Sequence, residues 1–285
     1  MSVVAGGQAN LAASDSDLDD SATTKVIHMP EFIDLDVQGP VGWFRYNRPP
    51  VNAVHWQMFE EMAPAFEALL ARPEVRVVVV ASALERHFSS GADLAVFDRI
   101  DVAGMTEWVR RAHQLVRLMR ASPKPILAAI NGIAVGGGLE ISLHADLRFA
   151  AENARFGQPE VNIAFIPPVG GTQGLVRLLG RSAAFGMLYE GEMIDAATAH
   201  EIGLVDRIVP PERLRDEVQD YAERLAAKPA NALAAIRRCL VDGGSLPFED
   251  GLKVEFDAVV ALAEHPNFAE GVSAFLQKRP PDWKP

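Results

Sequence analysis

The sequence predicts an α/β fold that gives way to a helical C-terminal region, and three observations point there. Val75 to Ala81 is an unbroken apolar run apart from Arg76, and Pro125 to Ile130 is a second, the pattern of strands buried on both faces. Between them Met105, Trp108, Val109, Ala112, Leu115, Val116 and Met119 recur at helical spacing, which gives a strand, helix, strand rhythm. After about Leu204 the strand signals fade, apart from Leu204 to Val209, and helical segments follow near 211–227, 230–242, 248–264 and 267–277.

Taken in order, residues 1–25 are rich in Ala, Ser, Gly and Asp, with four aspartates between Asp15 and Asp20. They carry too little apolar surface to offset the entropy of ordering, so a disordered tail is expected. The tail has neither the basic start and apolar stretch of a secretory signal nor the Arg-rich, acid-poor character of a mitochondrial presequence. Phe32 to Val37 alternates partly, Gly39-Pro40 turns the chain, and Val41 to Tyr46 returns as a hairpin partner. Phe59, Met62, Phe66, Leu69 and Leu70 then share a helix face. Pro64 lies inside that run and is expected to kink it or to confine its regular part to the C-terminal side, because proline lacks an N–H and crowds the preceding turn. The helix holding Met105 to Met119 ends before Pro123. The expected division is a core over 26–204 and a helical region over 205–285, with no fixed-period repeat and no low-complexity linker visible between them.

A chain of 285 residues that is 49% hydrophobic is able to bury a sizeable core, which excludes a disordered or disulfide-dense fold. Its formal net charge of -11 argues against nucleic acid or an anionic membrane surface as partner. The single Cys239 has no partner for a disulfide or a zinc ribbon and suits a reducing cytoplasm. No apolar run approaches the about 18 residues of a membrane span, so no membrane partner is expected.

Two glycine-bearing turns follow the apolar strands. The first is Phe88-Ser89-Ser90-Gly91-Ala92-Asp93-Leu94, and the second runs from Asn131-Gly132 to Gly136-Gly137-Gly138-Leu139-Glu140. Three glycines leave a strip of backbone bare, and a helix starting there leaves N–H groups free for an anion or a polarised carbonyl, although such a turn serves close packing just as well. Phe156-Gly157-Gln158-Pro159-Glu160 then sets a carboxylate beside a proline among apolar Val161, Ile163, Ala164, Phe165 and Ile166, and Pro167 to Thr172 follows. A single acid at a helix start is commonly a cap or an ion-pair partner, whereas Glu140 and Glu160 together, each near a glycine turn, suit acid/base work. His144 and Asp146 follow Glu140 without an H-E-x-x-H pattern or a third ligand, so no metal site is expected. Ser89, Ser90 and Ser142 lack a nucleophile elbow, and Trp43, Trp56 and Trp108 read as core or pocket packing.

On these segments, with Ala129 to Glu140, Ala154 to Glu160, Gly170-Gly171-Thr172-Gln173 and the tail Ala274 to Arg279, the chain from about Phe32 to Lys284 resembles the crotonase superfamily, specifically the enoyl-CoA hydratases. The resemblance implies a crotonase-like core of repeated β-β-α units over 26–204 and a C-terminal helical region, 205–285, that builds a homotrimer or a dimer of trimers. It implies hydration of a trans-2-enoyl-CoA, with coenzyme A carried by the substrate and no separate cofactor. By motif position, the N–H groups of Ala92 and Gly137 would form the oxyanion hole, and Glu140 and Glu160 would be the catalytic acids. Ser90, Ala92, Asp93 and Leu94 would hold the coenzyme A moiety. A β-carbon at Gly137 would stand where the thioester approaches.

The chain departs from the family's pattern in three places. Arg48-Pro49-Pro50-Val51-Asn52-Ala53 stands where a lysine-containing stretch is frequent, Ala95 where a lysine is frequent, and Pro168 where glycine is commoner. Lys278 and Arg279 are then the expected source of positive charge for coenzyme A, from a neighbouring subunit. Ala95 to Ile100 resembles the acyl-pocket region; with Phe97 and Trp108 closing it, an unbranched chain of short to medium length is expected. The alternatives are Δ3,Δ2-enoyl-CoA isomerisation, which needs one base, and a catalytically idle or RNA-binding member of the family, against which the paired acids and the acidic balance argue.

Overall fold

A computed structural model describes residues 30–284, so the tail expected over residues 1–25 lies outside the described residues. Strand β1 (Ile33–Gln38) pairs antiparallel with β2 (Val41–Tyr46) around the two-residue turn Gly39-Pro40. Helix α1 (Trp56–Leu70) follows and buries Met58, Met62, Phe66 and Leu69 on one face. Regular helix is not confined to the C-terminal side of Pro64, since α1 runs through it. Pro64 is exposed, and so is Glu60, the residue whose carbonyl it leaves without a helical donor.

Three β-β-α units come next. The first is β3 (Val77–Ser82), β4 (His87–Ser89) and α2 (Val102–Arg120). The second is β5 (Ile126–Ile130), β6 (Ile133–Val135) and α3 (Gly137–Ser142). The third is β7 (Leu147–Ala151), β8 (Arg155–Gly157) and α4 (Gly171–Glu190), with a 3₁₀ turn over Pro159–Ile163 before the helix. Then β9 (Met193–Asp195), α5 (Ala196–Glu201) and β10 (Arg207–Val209) lead to α6 (Leu214–Ala226), α7 (Ala230–Val241), α8 (Phe248–Glu264) and α9 (Pro266–Leu276).

The first strand of each unit joins a six-stranded sheet in the order β1-β2-β3-β5-β7-β10, and the second joins a four-stranded sheet in the order β4-β6-β8-β9. The large sheet is apolar on both faces because both are covered. Val78, Val80, Ala128 and Ile130 face the main core with α1 and α2, while Val77, Val79, Leu127 and Phe149 pack with Leu214, Val218, Ala222 and Ala226 of α6. The boundary expected after residue 204 therefore does not coincide with the edge of the core, since β10 pairs with β7 and α6 covers the sheet. Leu214, Val218, Tyr221 and Leu225 are accordingly spoken for by this core, whereas Ile236 and Leu240 of α7 remain exposed. Among the described residues no helix is long and apolar enough to cross a membrane.

Candidate active site

Strands β4, β6 and β8 run parallel, so their carboxyl ends reach one edge of the small sheet, the place where α/β sheets carry their sites. Beyond β4 the loop Ser90–Asp93 is fastened to residues 51–54: Ser90 N donates to Val51 O at 3.0 Å, Val54 N to Gly91 O at 2.7 Å, and Asp93 N to Val54 O at 2.8 Å. The fully buried Asn52 braces this pair of loops, its amide donating to Ser82 Oγ and to Phe88 O. Beyond β6, Gly136 turns at φ +53 into α3, and a β-carbon there would lie 2.8 Å from Glu160 Oε1. Gly91, at φ +80, lies so close that a β-carbon would be 2.8 Å from Val135 O and 3.1 Å from Gly137 N. The two turns thus meet backbone to backbone. Ala92 and Gly137 both line the cavity beside them, and among the described residues neither N–H has an acceptor within the protein. Gly137 is the first residue of α3, where a helix leaves its N–H groups unpaired.

Glu140 lies in the first turn of α3 and is fully buried. Its Oε1 accepts from Val169 N at 2.6 Å and from Gly171 N at 2.8 Å, and Gly171 opens α4, so the positive end of that helix also faces the carboxyl group. Its Oε2 is buried without a partner. Burial raises the Glu140 pKa well above the carboxylate range and the Glu160 charge raises it further, while the two N–H donors oppose both. Glu160, on the 3₁₀ turn after β8, is pushed up by burial to about 7. The fully buried Gln158 lies beside it, and with its amide nitrogen turned to Glu160 it is 3.2 and 3.0 Å from the two carboxyl oxygens. Turned over, the same amide accepts from the acid, so it serves Glu160 with or without its proton. Both acids are raised, Glu140 to about 8 and Glu160 to about 7, so the pair resists losing both protons near neutral pH, and the N–H donors lower Glu140 without outweighing its burial.

The cavity at these strand ends measures about 280 Å³, and Glu160 is the only ionisable side chain among the described residues that line it. Its far wall is aromatic. The Phe97 ring lies 5.3 Å from that of Trp108 and 5.9 Å from that of Phe165, and Phe59 lies 4.7 Å from Trp108. A larger, more open cavity of about 680 Å³ lies between the end of α2 and helices α7 and α8, and it holds none of these groups.

The structure brings Ser90, Ala92, Leu94, Gly137 and Glu160 to one cavity. Glu140 adjoins it without lining it. Asp93 is engaged internally, accepting from Ala95 N and pairing with Arg48 at 3.0 Å, so Arg48 is committed to the loop rather than free for a phosphate. Lys278 follows α9 and does not line the cavity of its own chain. Of the apolar residues that follow Glu160 in sequence, Val161, Ile163 and Ile166 are exposed; Glu160 is the only buried residue of the 3₁₀ turn, although Pro159, Asn162 and Ile163 also line the cavity. Within the protein itself, the tighter of the two glycines is Gly138 rather than Gly137. A β-carbon at Gly137 would make only an ordinary 3.6 Å contact with Val169, whereas at Gly138 it would lie 2.6 Å from Ser89 Cβ and Ser89 O. Sequence reasoning assigned no role to Asn52, Gln158, Val169 or Gly171, whose contributions are backbone or amide contacts made across the fold. Among the described residues no cluster of three or more metal-binding side chains is found.

The chain matches the family described as enoyl-CoA hydratase/isomerase over residues 37–285. It is 34% identical over 250 residues to a crotonyl-CoA hydratase of Syntrophomonas wolfei, covering 87% of this chain and 96% of that one. It is 37% identical over 243 residues to a 2,3-dehydroadipyl-CoA hydratase of Escherichia coli, covering 84% and 92%. Among solved structures, an enoyl-CoA hydratase from Bacillus anthracis superposes with a TM-score of 0.85 at 32% identity, over 89% of this chain and 99% of that chain.

Proposed function

The chain belongs to the enoyl-CoA hydratase/isomerase family, a branch of the crotonase superfamily, and from that premise we propose that it adds water across the 2,3 double bond of a trans-2-enoyl-CoA to give the 3-hydroxyacyl-CoA. The observation that carries this reading is one buried acid, Glu160, and two unpaired backbone N–H groups on one apolar cavity, with a second buried acid, Glu140, adjoining it.

Attack at the β-carbon of an enoyl thioester moves negative charge onto the thioester oxygen. In this reading the unpaired N–H groups of Ala92 and Gly137, two residues lining the cavity, receive it, and a donor to such an oxygen is typically worth about 3 kcal/mol of transition-state stabilisation. Glu140, fixed through Oε1, has Oε2 left to accept from the attacking water. As the water oxygen bonds to the β-carbon, its proton passes to the carboxyl pair and the acid proton on Glu160 passes to the α-carbon. Holding the water between two fixed groups removes the rotational freedom that a single base would leave it.

Ser90, Ala92 and Leu94 are the proposed contacts of the pantetheine end, with Asp93 shaping the loop, and Lys278 is proposed to reach the coenzyme A of a neighbouring subunit in a trimer or a dimer of trimers. An apolar, aromatic-walled cavity of this size fits a neutral, unbranched acyl chain of short to medium length. Coenzyme A enters with the substrate, and the chemistry calls for no other cofactor. A single cysteine and a coenzyme A substrate fit a reducing compartment, which we read as the cytoplasm.

One observation favours a second reaction at the same site. Glu160 alone faces the cavity, and Δ3,Δ2-enoyl-CoA isomerisation, which carries a proton from the α- to the γ-carbon, needs a single base. Loss of the conjugated-thioester absorbance of crotonyl-CoA on mixing with the purified protein tests hydration, and no loss at any chain length would overturn it. In Glu140→Gln, isomerisation of a 3-enoyl-CoA at the wild-type rate beside lost hydration would assign the second activity to Glu160 alone.

A further inference from the structure

His144 is buried, and the reaction above gives it no part. It follows α3 one turn after Glu140, and its Nε2 lies 2.9 Å from Val169 O, so that nitrogen carries a hydrogen and donates it. The residue it holds is the one whose own N–H donates to Glu140 Oε1, with the second donor, Gly171, two residues on. Between them Gly170 turns at φ +86, and a β-carbon there would lie 2.9 Å from His144 Nε2 and 3.0 Å from its Cε1, so the ring packs flush against the turn. The turn over residues 169–171 is therefore gripped from the end of α3 on both sides of one residue: Glu140 takes the N–H of Val169 and His144 takes its carbonyl.

We propose that His144 is a positioning residue for hydration, which holds the Val169 carbonyl and thereby fixes the two N–H groups that aim the Glu140 carboxylate. This rests on the hydratase reading of the site. Burial lowers the His144 pKa to about 4, Arg120 of α2 and Arg148 of β7 act in the same direction, and the Val169 hydrogen bond opposes them. The ring is thus a neutral, single-proton donor at neutral pH. An apolar side chain in its place would leave a buried carbonyl without a donor.

The test compares His144→Leu, which removes the donor, with His144→Gln, whose amide reaches a similar distance and keeps one. In His144→Leu, kcat for crotonyl-CoA should fall about 10- to 100-fold while KM stays within about threefold, because a displaced base acts on the chemical step and not on coenzyme A binding. Amide hydrogen exchange at Val169 and Gly171 in the ligand-free protein should quicken at least about tenfold. His144→Gln should recover kcat and exchange to within about threefold of wild type. If His144→Leu does not fold, His144→Phe removes the donor while filling the ring's volume. The exchange measurement needs no substrate, so a wild-type protein that hydrates nothing would defeat the hydratase reading while the grip on the turn is still decided. A folded donor-less variant with kcat and exchange within about twofold of wild type, or equal losses in the Leu and Gln variants, would overturn the proposal.

Discussion

Burying two carboxyl groups side by side has a consequence for stability as well as for chemistry. Glu160 is raised from an ordinary value of 4.5 to about 7, so between those values the folded chain holds a proton that the unfolded chain has released. Stability is therefore lost as pH rises through this interval, and below it, where the group is neutral in both states, burial carries no charge penalty. Glu160→Gln removes the ionisation, so its thermal stability relative to wild type should rise with pH by up to about 3 kcal/mol and show no gain near pH 4. Melting curves across that range check this, and a difference independent of pH would contradict it. At this scale the sequence was informative where chemistry is written in short contiguous segments. Gly136 to Glu140 and Gly157 to Glu160 each carry a turn and an acid at a strand end, and both reach the site. It gave His144 and Gly171 no part at the acid pair, because their contacts depend on the start of α4 arriving beside α3, which no local pattern encodes.

At the scale of elements, the site is made by three short parallel strands, each three residues long, whose ends deliver the Ser90 loop, the glycine turn and the Glu160 turn to one edge. Runs of that length are too short for alternation to register, so the small sheet was not legible, although the long apolar strands and α2 were. Helix α1 shows the converse, running through the strong local signal at Pro64, where both Pro64 and Glu60, whose carbonyl loses its helical donor, are exposed. The junction of α3 against β4 is tight. Gly138→Ala would drive a methyl group to 2.6 Å from Ser89 Cβ and its carbonyl oxygen, both anchored in the strand end. It should cost about 1–3 kcal/mol in chemical denaturation and lower kcat by parting the Ala92 and Gly137 turns. Wild-type stability and kcat in Gly138→Ala would show that the two turns are not held by this contact.

For the whole molecule, helices α8 and α9 leave Phe248, Phe256, Phe275 and Leu276 exposed by 68 to 83%, while α6 is taken up by the large sheet. Apolar periodicity marks both kinds of helix alike, which is why the sequence did not separate the helix that completes the core from those that reach beyond it. An apolar surface of this kind on one end of a chain favours association. Sedimentation should show a trimer or hexamer at micromolar concentration, and a stable monomer would refute the assembly. The reaction itself ties these scales together, since the sheet ends, the two helix starts and the carboxyl pair have their meaning only if both acids act on one water. Crotonyl-CoA hydration by wild type, Glu140→Gln and Glu160→Gln tests this most directly. Each variant, folded, should turn over at least about 10²-fold more slowly than an active wild type. Turnover close to wild type in either one would contradict the two-carboxylate account.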